Sequence, residues 1–269
     1  MIADILTYQF LQNAILAGIL ASIVSGIIGV IIVEKKLIMM SGGIAHASYG
    51  GVGLGYLLGF EPIWGAFGFS ILAALGVGLL KRRSGTGSDI VIGLFWSLGM
   101  ALGIVFISLM PGYPPNLGSY LFGNILAVTR GDLLLIFLLT LVVVLVFLAL
   151  FDYWKAYLFD GEFASIRGIS AGILEFVLLL LVAITVVVLI RIVGIILSLS
   201  LLIAPAAAAK ILFRRLGSRI LAAVVLGLLF TLGGLFLSYA LNVASGAMIV
   251  LVSVFGYALV SIFGKRGRV

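Results

Sequence analysis

His46 is the only histidine in the chain, and it sits in the glycine-rich stretch LIMMSGGIAHASYGGVGLGYLLG, Leu37 to Gly59. Neutral imidazole is a ligand suited to Zn, Cu, Fe and Ni. One expectation is therefore a metal ligand lining a translocation path, with Met39 and Met40 able to assist a soft metal. The other is an imidazole hydrogen-bonded to a hydroxyl or a backbone carbonyl, holding two helices together. Gly42 and Gly50 lie one turn to either side and leave the space beside the ring open on its own helix. An ionisable side chain within a membrane span points to function by default.

Other chemistry is scarce. The nine acids, Glu175 the deepest among them, fall at the ends of apolar stretches or between them. Ion-coupled carriers usually place carboxylates or paired charges near the bilayer midplane. There is no cysteine, so a thiolate metal site and a disulfide are excluded, and with no H-E-x-x-H pattern and no serine with a partner base an intramembrane protease is not expected. No G-x-x-x-x-G-K-[ST] loop occurs, so the chain does not bind ATP in that manner. Enzymatic chemistry is not expected.

The elements that position His46 are membrane helices. Of 269 residues 64% are hydrophobic and 9% charged, where a soluble domain carries about a quarter charged residues. Runs long enough to cross a bilayer are Phe10–Val33, Leu37–Gly59, Ile63–Leu80, Ile90–Met110, Leu133–Leu150, Ala171–Ile190, Ile192–Ala209, Ile220–Ala240 and Ala247–Phe263. Tyr120–Val128 is too short. The expectation is an all-α, polytopic membrane protein of about nine transmembrane helices, forming a single domain over residues 1–269. With the N-terminus outside and the C-terminus cytoplasmic, every Lys and Arg except Arg130 and Arg191 falls on the cytoplasmic side, as the positive-inside rule requires. The basic excess, 16 against 9, is thus a topology signal and not a nucleic-acid footprint. The first residues, MIADILTYQF, have no basic n-region or small-residue cleavage site, so a removable signal peptide is not expected.

Three further features bear on function. Gly43, Ala47, Gly51 and Gly55 form a stripe of small residues that lets a neighbouring helix approach closely in lipid. Pro205 cannot donate to the Leu201 carbonyl and is expected to bend its helix. Leu158 to Ser170, LFDGEFASIRGIS, has the pattern of a short amphipathic helix. Asp160 is its N-cap, Glu162 and Arg167 complement its dipole, Gly168 ends it, and Phe163 and Ile166 share its apolar face. Composition alone favours a helix resting on lipid; the other reading is a docking knob for a soluble partner.

Taken together, these stretches resemble the membrane permease subunits of the zinc/manganese ABC importers, over about Gln12 to Ser261. The carriers are SGGIAHASYGGVGLGYLLG (41–59), DIVIGLFWSLGMALGIVFISL (89–109), SYLFGNILAVTRGDL (119–133), FDGEFASIRGIS (159–170), IVGIILSLSLLIAPAAAAKIL (192–212) and LSYALNVASGAMIVL (237–251). The resemblance implies a permease that imports a divalent transition metal, zinc or manganese, through the plasma membrane of a prokaryote. It implies two permease subunits, a homodimer, served by cytoplasmic ATPase subunits and an extracytoplasmic metal-binding protein. The metal is then substrate and not a permanent cofactor, and ATP hydrolysis lies on a separate chain. The family histidine, in a pattern like G-D-A-[LI]-S-H-A, falls on His46, and the family docking helix on the segment with Asp160, Glu162 and Gly168. The family's Asp one turn before the histidine is Gly42 here, and the usual proline after it is Gly50. Two alternatives are an ABC permease for a metal-chelate or cobalamin-like ligand, and a channel or secondary carrier without an ATPase.

Overall fold

The computed structural model describes residues 8–84, 88–112, 123–159 and 171–264. Among these residues every regular element is helical: α1 (Gln9–Glu34), α2 (Ile38–Leu58), α3 (Pro62–Ser84), α4 (Ser88–Ser108), a 3-10 turn (Ile125–Ala127), α5 (Arg130–Ala149), α6 (Phe151–Phe159), α7 (Ala171–Val193), α8 (Ile195–Leu212), α9 (Leu216–Leu241) and α10 (Ser245–Phe263). The protein is a polytopic helical membrane protein. Among the described residues eight helices are long and apolar enough to cross a bilayer, all the long ones except α2. With 21 residues, α2 is about 31 Å long at 1.5 Å per residue, enough to span. What sets it apart is composition, because glycines, serines and His46 dilute its hydropathy.

Helix ends follow local chemistry. Gly59 closes α2 at φ 74°, its N–H donating to the Gly55 carbonyl, and Pro62 opens α3. This is the glycine-after, proline-first order that helix termini favour. Asp89 sits in the first turn of α4, where the helix dipole stabilises an anion. Thr129 and Asp132 form a capping box at the start of α5. The break between α7 and α8 falls at Gly194 (φ 82°) and not at Arg191, where charge had placed it. A single left-handed residue ends one helix and starts the next, so Arg191 stays within the last turn of α7. The basic loop expected over Lys210–Arg219 shrinks to 213–215, because Lys210 completes the last turn of α8 and Arg219 belongs to α9.

The chain divides into two compact units, Met1–Lys35 with Gly118–Lys155 and Val188–Val269, and Lys36–Leu117 with Ala156–Val187. In the first, α1 is the buried centre and packs against α5, α8, α9 and the 3-10 turn. Small residues permit this. A methyl group on Gly29 would collide with the Leu202 carbonyl of α8, and one on Gly26 would lie 2.6 Å from a Val224 methyl of α9. Ser22 donates to its own Gly18 carbonyl at 2.7 Å and lies 3.3 Å from the Thr231 hydroxyl of α9. In the second unit α2 is held between α3 and α4.

Candidate functional site

The site is built on α2 and α4. Ile92, Trp96, Gly99 and Gly103 recur at helical spacing along one face of α4, and this face meets α2. A Cβ on Gly43 would lie 2.5 Å from an Ile92 methyl, one on Gly99 would fall on the Ala47 backbone, and one on Gly53 would lie 2.6 Å from the Gly103 carbonyl. Backbones this close are stabilised by dispersion and weak polar contacts, the forces that join helices in lipid. Between these contacts the imidazole of His46 stacks on the indole of Trp96, with ring centroids 4.1 Å apart and planes 8° from parallel. No hydrogen bond reaches either imidazole nitrogen among the described residues, and Nδ1 is buried. A hydrogen-bonded strut is therefore not what the geometry offers. Neutral imidazole carries one ring lone pair, and here it is uncommitted.

The space beside His46 is closed at Gly50 but would still admit a methyl group at Gly42. A Cβ on Gly42 would meet Trp96 at 3.8 Å, and one on Gly50 would meet the Phe69 ring of α3 at 2.7 Å. At Gly50 the Phe69 ring occupies the volume that the missing side chain leaves. The stripe Gly43, Ala47, Gly51, Gly55 likewise does not serve one partner. Gly43 and Ala47 face α4, while Gly51 abuts the Gly65 carbonyl and Gly55 lies against Pro62, both of α3. Among the described residues no group of three or more His, Cys, Asp or Glu could hold a metal ion. Any cation at His46 would thus find one imidazole and no neighbouring carboxylate cluster.

Pro205 is buried within α8, which continues through it from Ile195 to Leu212. Asp160, Glu162, Phe163, Arg167 and Gly168 lie outside the described residues. Two polar clusters went unread in the sequence, both in the first unit. Asp132 accepts from Arg191 Nε at 3.2 Å and lines a pocket of about 300 Å³ with Asn124, Thr129 and Arg191. Glu34, at the end of α1, accepts from both Lys210 (3.3 Å) and Arg219. The T-x-x-D pattern at Thr129–Asp132 was a signal for the first; nothing local marks the second, whose members are 176 and 185 residues apart.

Comparison with known proteins agrees in extent and in fold. The chain is 42% identical over 261 residues to an uncharacterized membrane protein of Synechocystis sp., covering 97% of this chain and 92% of that one. It is 34% identical over 262 residues to the manganese transport system membrane protein MntC of Listeria monocytogenes, covering 97% and 93%. Among solved structures, it matches a chain of PsaBC from Streptococcus pneumoniae in complex with Fab with a TM-score of 0.88 and 31% identity, over 99% of this chain and 97% of that one. The profile of the ABC 3 transport family matches residues 7–264. The chain belongs to the ABC 3 transport family.

Proposed function

We propose that this chain is the membrane permease of an ABC importer for a divalent transition metal, zinc or manganese, with His46 as a ligand on the translocation path. The observation that carries the reading is the uncommitted imidazole of His46, held inside the glycine-rich helix of a transport-family protein. A relative named for manganese transport at 34% identity supports the class of cargo. The metal is cargo and not a resident cofactor. The chain has no phosphate-binding loop, so ATP is hydrolysed by a cytoplasmic partner. The segment with Asp160, Glu162, Phe163, Arg167 and Gly168 takes up that partner's motion, Phe163 being its anchor. A second copy of the chain completes the core, and an extracytoplasmic metal-binding protein delivers the ion. The N-terminus faces outward and the C-terminus the cytoplasm, as the placement of Lys and Arg favours. The test is the zinc and manganese content of cells with and without the chain, together with co-purification of an ATPase. A loss of one or both metals on deletion supports the reading. Unchanged metal content, or a chain that purifies without any ATPase yet still transports, contradicts it.

A further inference from the structure

We propose that Trp96 is the positioning residue of the cargo site, and that the resulting donor set, one imidazole beside an indole, favours a zinc-type cation over manganese. The inference rests on the permease reading above and adds to it a residue and a cargo preference.

A ligating histidine is usually oriented by a hydrogen bond from its second nitrogen to a carboxylate, carbonyl or water. His46 has no such bond among the described residues. Its ring is fixed instead by the face of Trp96, 4.1 Å away and nearly parallel. Two flat rings in parallel contact gain dispersion attraction across the whole shared face. The separation is itself imposed by the backbone, because Gly43 against Ile92 and Gly99 against Ala47 bring α2 and α4 into contact on either side of the stack. The stack therefore does what a hydrogen-bonded partner does elsewhere: it removes ring rotation without using the lone pair.

The same arrangement sets the chemistry. Indole N–H is a donor only and cannot ligate a cation. Gly42, one turn before His46, has no side-chain donor, and a Cβ there would only touch the Trp96 ring, at 3.8 Å. No cluster of three metal-ligating side chains is found among the described residues. A cation there takes the imidazole nitrogen, with oxygens of water or of the backbone completing its shell. Nitrogen donors bind zinc more tightly than manganese, whereas carboxylates suit manganese.

The experiment measures competitive uptake of radioactive zinc and manganese in cells carrying the chain with its ATPase. The variants are Trp96→Ala, Trp96→Phe, His46→Ala, Gly42→Asp and Gly42→Ala. Tryptophan emission of the purified permease during zinc addition is recorded alongside. Wild type is expected to take up zinc in preference to manganese. Trp96→Ala is expected to raise the half-saturating zinc concentration about tenfold, the usual size of a lost orienting partner, with a smaller change in maximal rate. Trp96→Phe keeps a stacking face and is expected to recover most of that loss. Zinc is expected to change wild-type emission, and the change to vanish in Trp96→Phe and in His46→Ala. Gly42→Asp is expected to shift preference toward manganese by about tenfold, by supplying a carboxylate, and Gly42→Ala not to. An unaltered half-saturation in Trp96→Ala, a zinc response that survives Trp96→Phe, or a wild-type preference for manganese would each overturn the proposal. Should wild type move neither metal, the permease reading itself fails; should it move metal with all variants alike, only the role of Trp96 fails.

Discussion

Gly99 of α4 stands so close to Ala47 of α2 that a methyl group added to Gly99 would fall on the Ala47 backbone. Gly68 of α3, in the same unit, has nothing within 4 Å of where its Cβ would be. The two glycines should therefore respond oppositely to the same change. Gly99→Ala is expected to destabilise the folded protein by about 2 kcal/mol, the size of overpacking in a filled interior. Gly68→Ala should leave stability unchanged or raise it, since alanine is the better helix former. The check is the apparent thermal midpoint of each variant in detergent, and equal effects would mean that the α2–α4 approach is not as described.

Asp132 both closes the capping box of α5 and pairs with Arg191. Its carboxylate accepts from both the Thr129 N–H and the Thr129 hydroxyl, and also from Arg191. The arginine side chain is 37% exposed, so screening limits what the ion pair contributes. Asp132→Ala is expected to cost about 1 kcal/mol through the lost cap, and Arg191→Ala no more than about 0.5 kcal/mol. Chemical denaturation of both variants gives the order; an Arg191 effect larger than that of Asp132 would contradict it.

Glu34 faces two cations of unequal worth. Arg219 is mostly shielded, at 16% side-chain exposure, and also donates to the Phe213 carbonyl at 2.8 Å. Lys210 is 43% exposed. Arg219→Ala should destabilise by about 2 kcal/mol, counting charge-assisted bonds in a partly buried setting, and Lys210→Ala by less than about 0.5 kcal/mol. Arg219→Lys should not restore wild-type stability, because a single ammonium cannot reach both Glu34 and the Phe213 carbonyl in the geometry of the guanidinium fork. The same denaturation assay decides, with full rescue by lysine as the contrary result.

The helices were legible because apolar runs bounded by charge and by Gly or Pro leave few other structures in a bilayer. Which helix meets which was not. The stripe Gly43, Ala47, Gly51, Gly55 reads as one surface in the sequence, yet its two halves meet α4 and α3, since a helix held between two neighbours presents different arcs to each. Trp96, Gly99 and Gly103 carried a signal, an aromatic residue sharing a face with two glycines three and seven residues on, but bulky neighbours hide it. Gly18, Ser22 and Gly26 on α1 are masked in the same way by the bulky residues between them. His46 was legible from its residue type, its place among the glycines of α2 and the family pattern that falls on it. Its stacking partner, 50 positions away in the chain, follows only from the α2–α4 contact. The pairing of Glu34 with Lys210 and Arg219 has no local signature, because it depends on three helix ends meeting.

Orientation is tested in a background that contains no cysteine. Ala244, an exposed residue between α9 and α10, is the better outer probe, because neighbouring Ser245 is buried. Ala244→Cys is expected to react with a membrane-impermeant thiol reagent in intact cells, and Ser218→Cys to react only after the membrane is opened. Labelling of Ser218→Cys from outside would reverse the topology.

The place of His46 on the metal path is tested most directly by zinc and manganese uptake in cells expressing His46→Ala and His46→Gln with the partner ATPase, at matched expression and matched co-purification of that ATPase. An amide oxygen is a much poorer ligand than imidazole for the later transition metals, yet it can still hydrogen-bond. Both variants are expected to lose at least about nine-tenths of uptake, in line with the tenfold or greater loss that follows from weakened metal ligation. Full uptake by His46→Gln would show that ligation at this position is not required, and would contradict the assignment of His46 to the metal path.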